Sequence, residues 1–258
     1  MIKKIGLFSL SLLLLFSSSV SATENIDSPK TLKEGSEVNI NSFLESIDQK
    51  KIEASNQLEN EEERIMENIR RYSADRKKME RDRSEGKTYN LESLNQESSI
   101  GVMSYNHDIN WASWGYADMI FGAGTDGSSS SIPTGYYRHA ATYDYAYGNF
   151  ISAMPNKGVR RESKDFWETR YREVVGYWVP SASSQHKRDV INYIKQQMGE
   201  PYLWYTSKTD YSKWYCTKLP YVAFRGNAGI DIDADGGYWV FPDDIVSDSQ
   251  TYLFMSER

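Results

Sequence analysis

From residue 36 to residue 85 the chain runs fifty residues without a glycine or a proline. Glu, Lys, Arg, Gln, Asn and Leu fill the stretch, and most of these favour helix. Leu44, Ile47, Ala54, Leu58, Ile65, Ile69 and Tyr72 recur at spacings of three, four and seven, which draws a thin apolar stripe along a charged surface. A coiled coil needs three or more clean heptads, and they are absent. The expectation is a solvated helix or pro-region that leans on a main domain. The alternative is a stalk for a partner or for self-association. Residues 84–100, rich in Ser, Glu, Asn and Gln, read as a linker.

The composition changes sharply after residue 100. Only Phe8, Phe16, Phe43, Tyr72 and Tyr89 precede it, and the other 30 aromatic residues follow. A chain that is 39% hydrophobic can pack a core, so general disorder is excluded. A formal charge of -6 argues against non-specific nucleic-acid binding. One cysteine excludes a disulfide framework and a cysteine-based structural zinc site.

The N-terminus has the order of an export signal: Lys3 and Lys4, an apolar run over residues 5–16, then Val20-Ser21-Ala22 as a cleavage site. The run would rise about 18 Å as a helix, short of a ~30 Å hydrocarbon core, so no permanent membrane span is expected. The organisation is thus a signal peptide over 1–22, a charged helical arm and linker over 23–100, and a domain over 101–258. The expected location is secreted or in a bacterial cell envelope.

Within the domain, strands are predicted over 116–121, 136–145, 149–154, 174–179 and 251–255. Helices are predicted over 163–173, with Ser163 as a cap, over 183–198, and from about 216 to 226. Strands mixed with helices without a βαβ repeat point to an α+β fold.

Elimination narrows the chemistry. His107, His139 and His186 are the three histidines and form no zinc-hydrolase spacing. There is no Walker loop and no Gly-x-Ser-x-Gly elbow. The Gly-x-Gly-x-x-Gly run over 122–127 leads into four serines and Pro133, not into a helix, and reads as a loop. Residues 231–236 match the first half of a calcium loop, but Pro242 stands where a bidentate Glu is required, so Asp231 to Asp235 read as an acidic turn. No metal and no cofactor are expected.

Cys216 is the most informative residue. A lone thiol in an exported protein is open to oxidation. At a helix N-terminus the unpaired N–H groups favour thiolate, which makes a nucleophile. A buried small hydrophobe or an intermolecular disulfide are the plainer readings. His139 lies on a predicted strand followed by Ala140 and Ala141, a rigid mount for a general base with room for a substrate. Tyr202, Tyr205 and Tyr215 precede or flank the cysteine and are candidate substrate-binding residues.

These residues fall in a familiar order: the His139 strand, Ala153-Met154-Pro155-x-x-Gly158-Val159, Tyr215-Cys216-Thr217-Lys218-Leu219, residues 229–237, and Pro242-Asp243-Asp244-Ile245. From about residue 115 onward the chain resembles the NlpC-type cysteine hydrolases, in the circularly permuted YiiX/YebB-like branch of the papain-like fold. The resemblance implies an antiparallel sheet packed on helices, with Cys216 at a helix start facing His139. It implies cleavage or transfer at amide bonds of peptides, peptidoglycan stem peptides or acyl amides. Ser152 stands where the family places a polar residue that orients the histidine, and Asp144 is the other candidate for that role. Pro220 stands where the family carries an apolar residue. A lipid or acyl-amide hydrolase or acyltransferase is the rival activity. A catalytically weak cell-envelope binding module is the rival class.

Overall fold

The computed structural model describes residues 37–87, 105–124 and 135–258. The segment expected to be a signal peptide, most of the expected linker and the serine-rich loop lie outside these residues.

The β-branched and aromatic segments pair into one six-stranded antiparallel sheet, in the order β4-β3-β2-β1-β5-β6. Its strands are β1 (Met119–Ala123), β2 (Tyr137–Asp144), β3 (Asn149–Met154), β4 (Gly158–Glu162), β5 (Glu173–Trp178) and β6 (Tyr252–Glu257). Alternation along β1 sends Met119 and Phe121 to one cluster and Ile120 to another, so both faces of the sheet are buried. The first face packs on α4 (Ser184–Gln196), α5 (Lys218–Ala228) and the short α6 (Pro242–Val246), through Val190, Ile194, Leu219, Ala223 and Ile245. The second face is closed by Trp167 of α3 (Lys164–Arg170), with Trp114 and Phe254. The class is α+β, as the pattern of elements predicts.

The serines expected to cap helices do so. Ser163 accepts the Phe166 N–H at 3.2 Å and Ser183 accepts the His186 N–H at 3.1 Å. Other boundaries differ from expectation. The helix predicted over 163–173 stops at Arg170, where Tyr171 turns extended (φ −106°, ψ 145°), and Glu173 already opens β5. Strand β4 is added, its polar Arg160-Arg161 pair having masked it. The helix after Cys216 runs past Gly226 to Ala228 and ends where Gly229 adopts φ 67°. Pro220 falls in the first turn of that helix, where a missing N–H costs little.

Among the described residues the arm forms two helices, α1 (Glu37–Gln57) and α2 (Glu59–Ser84), and they lie along the domain. Leu44, Ile47, Ile65 and Ile69 of the predicted stripe are buried, and Ile65 and Ile69 join the main core, whereas Tyr72 stays 39% exposed. Fully buried Lys51 pairs with buried Asp118 at 2.5 Å and lies over the rings of Trp178 and Phe254. Asp48 pairs with Lys187 at 2.7 Å, and Arg64 with Glu173 at 2.9 Å. Glu173 also accepts the hydroxyls of Tyr136 and Tyr137 (2.8 and 2.9 Å), so α2 is tied to the start of the strand that carries His139.

Candidate active site

His139 is held on four sides. Asp243 of α6 accepts the backbone N–H groups of Tyr136 and Tyr137 at 2.7 and 2.9 Å, which fixes where β2 begins. His139 pairs with Gly122 of β1, and a Cβ at Gly122 would sit 2.3 Å from the Tyr171 ring. The glycine therefore lets Tyr171 lie against the strand beside the imidazole. The imidazole stacks on Trp167 (centroids 5.3 Å apart, planes 6° apart), with Tyr171 at 6.3 Å and the edge of Phe166 at 6.2 Å. Its Nε2 lies 2.8 Å from Oε1 of Glu162, a buried carboxylate at the end of β4.

Cys216 is partly buried just ahead of α5. The Leu219 N–H donates to the Tyr215 carbonyl at 3.3 Å, so the first helical turn already encloses the cysteine. The Cys216 thiol lies close enough to the His139 imidazole to act on its charge. Burial works against a charged imidazole and is the largest single influence. The Glu162 charge, then the hydrogen bonds to Cys216 and Glu162, outweigh it and push the His139 pKa up to about 10. At neutral pH the ring is an imidazolium, set between a carboxylate and a thiol.

The residues flanking Cys216 are both fastened to the backbone of Val240. Val240 donates its N–H to the Tyr215 hydroxyl at 3.0 Å and accepts from the Thr217 hydroxyl at 2.5 Å. Around this bracket Trp204, Tyr215, Trp239 and Phe241 form a separate aromatic cluster, with Tyr202 and Tyr205 packed against it. Burial holds the Tyr202 hydroxyl well above its ordinary pKa.

No family model matches the chain. An uncharacterized protein of Bacillus subtilis (strain 168), YycO, is 32% identical over 129 residues, covering 48% of this chain and 51% of the relative. The chain thus spans about half the length of that curated relative. The crystal structure of the metalloprotein yiiX from Escherichia coli O157:H7 superposes with a TM-score of 0.44 at 14% identity, over 54% of this chain and 94% of that one.

The side chain bound to His139 is not that of Ser152, which was expected to orient it. Ser152 is buried and gives its hydroxyl to the Ala140 carbonyl at 2.6 Å, so it does not orient the imidazole. Asp144 is taken by Arg161 (3.0 Å) and Lys195 (3.3 Å). Glu162 occupies the position instead, reaching His139 from two strands away. Tyr202 and Tyr205 are partly exposed. Tyr215 is 5% exposed with its hydroxyl bound to Val240, so it supports the site from below and does not line a groove. In the acidic turn, Asp233 pairs with Lys208 and Asp231 with Arg225 (3.4 Å). One carboxylate oxygen each of Asp233, Asp235 and Asp244 lie within 4.8 Å of one another, and the Lys208 ammonium already neutralises Asp233.

Proposed function

We propose that this chain is a cysteine hydrolase in which Cys216 is the nucleophile, His139 the acid–base and Glu162 the residue that orients and charges His139. The observation that carries this reading is the buried His139 imidazole, held by the Glu162 carboxylate at 2.8 Å and close to a thiol set just ahead of a helix. The Cys216 thiolate attacks the carbonyl carbon of an amide, and the electron pair of the C=O bond moves to oxygen. The Cys216 backbone N–H, just ahead of α5, is the donor to the developing oxyanion. As the C–N bond breaks, the imidazolium gives its proton to the leaving amine and a thioester remains. Water then attacks the thioester while the neutral imidazole takes its proton. The thiolate leaves with the electron pair of the C–S bond, and the acid is released. Glu162 stays ionised and stabilises the imidazolium in the resting enzyme.

The histidine precedes the cysteine in the chain, which supports the permuted papain-like reading of the resemblance described above. The signal-like order of residues 1–22 supports export to the cell envelope, where stem peptides of peptidoglycan are the amides at hand. The partly exposed rings of Tyr202 and Tyr205, packed on the buried cluster of Trp204, Trp239 and Phe241, favour a substrate with an apolar portion beside the scissile amide, so acyl amides are the second substrate class. The test is incubation of the purified chain with peptidoglycan fragments, peptides and N-acyl amides, with new amines detected by mass spectrometry. Hydrolysis that is lost in Cys216→Ala and His139→Ala is expected. A thiol that alkylates at the same rate with and without His139, together with no product from any class, would leave only a binding role.

A further inference from the structure

Of the ties between the arm and the domain, one reaches the support of the nucleophile itself. Residues 229–241 contain no helix or strand. A segment of this kind has no ladder of its own, so side-chain contacts decide where it lies. Val240 in this segment grips both neighbours of Cys216. Two residues earlier, the segment is held from outside the domain. Glu80 of α2 accepts the Tyr238 backbone N–H at 3.2 Å. The Arg83 guanidinium lies 3.6 Å from the centre of the Tyr238 ring and 5.7 Å from that of Trp239, and Glu80 and Arg83 are themselves 3.8 Å apart. Gly237 allows this approach, since a Cβ there would lie 3.1 Å from the Glu80 carboxylate. On its other side Trp239 packs against Trp204 at 5.4 Å.

We propose that Glu80 and Arg83, at the end of α2, are positioning residues for Cys216: they clamp residues 238–239, and through Val240 they set the Tyr215 and Thr217 mounts on either side of the thiol. This rests on Cys216 being the nucleophile. It makes the helical pair a working part of the site, so its removal lowers reactivity, the opposite of what release of an inhibitory pro-region does. The cation over the Tyr238 ring and the acceptor on its N–H act on the same residue from one helix turn, so the two contacts resist different displacements of the segment.

The test uses the full chain and its single thiol. The rate of iodoacetamide alkylation is followed from pH 5 to 9 in the native protein, in Glu80→Gln/Arg83→Ala, in Arg83→Lys, in His139→Ala and in Arg188→Ala. The last removes a remote arm contact, the 3.0 Å bond from Arg188 to Asn41. A thermal melt accompanies each. The double variant is expected to alkylate roughly tenfold more slowly at neutral pH, within the ~100-fold that a ~1 Å misplacement can cost. Its pH profile moves toward that of His139→Ala, Arg83→Lys recovers most of the rate, and Arg188→Ala matches the native protein. If the double variant does not fold, Glu80→Gln alone shows a smaller loss in the same direction. A native rate and profile in the clamp variants, or an equal loss in Arg188→Ala, overturns the clamp. A native thiol that is slow, or indifferent to His139→Ala, overturns the nucleophile and the clamp with it. A fast native thiol unmoved by the clamp variants overturns the clamp alone.

Discussion

The proton on His139 links the site to the stability of the fold. Its pKa stands at about 10 in the folded chain against an ordinary 6.5, so the folded state binds this proton more tightly than the unfolded state. The stability this supplies is complete below pH ~6.5 and is lost as pH rises toward ~10. Lys218 acts in the opposite sense above pH ~8, because burial of its ammonium lowers its pKa to about 8. The contribution of His139 is therefore isolated by comparison. In urea unfolding at pH 6 and pH 9, the native chain is expected to lose more stability across the interval than Glu162→Gln, and imidazole NMR should place the variant's His139 pKa well below 10. An identical pH dependence in the two proteins contradicts the pairing. Cys216 and His139 were legible in the sequence because their types are scarce: one thiol and three imidazoles leave few pairs to consider. Glu162 was not. It is one of 36 carboxylates and follows two arginines, and only the crossing of β3 brings it to the ring.

At the level of elements, the imidazole's box depends on a strand and a short helix that meet at one missing side chain. Gly122→Ala would drive a methyl group into the Tyr171 ring, whose stacking on Trp167 (5.2 Å, 28°) forms a wall of the box. A cost of about 1–3 kcal/mol is expected, with an altered near-ultraviolet signal from the displaced rings. A variant of native stability would mean that Tyr171 swings away freely. Helix starts were legible, since Ser163 and Ser183 advertise their caps. The amphipathic period of α4 was also legible, because Val190, Ile191 and Ile194 face the core. Strand β4 was hidden because it buries its ends, Gly158, Val159 and Glu162, and leaves arginines between them. The short α6 was hidden because five residues carry no period, yet it supplies the Asp243 carboxylate that fixes the start of β2.

At the level of the whole molecule, the helical pair is joined to the domain by buried charge as well as by apolar contact. Burial raises the pKa of the Asp118 carboxyl, and Lys51 opposes that rise from 2.5 Å away. Lys51→Met leaves the carboxylate buried without its cation. The expected cost is about 3–5 kcal/mol at neutral pH, smaller in acid where Asp118 takes up a proton, and partly recovered in Lys51→Met/Asp118→Leu. Denaturant titration of the three proteins checks this, and a loss under ~1 kcal/mol would show the pair to be dispensable. The docking itself was only half legible, since the stripe gave Leu44, Ile47, Ile65 and Ile69, but nothing in a charge-rich run marked Lys51 as a core residue. Strand β6 lies at the margin of the sheet, and α1 runs along it with the Ser55 hydroxyl on the Leu253 carbonyl at 2.5 Å. Stripped of that helix, β6 would present unpaired peptide groups to a second chain, the template from which edge-to-edge aggregation grows. A form truncated before residue 101 is accordingly expected to self-associate in sedimentation experiments where the full chain does not. On this account the charged helices also guard the protein's solubility.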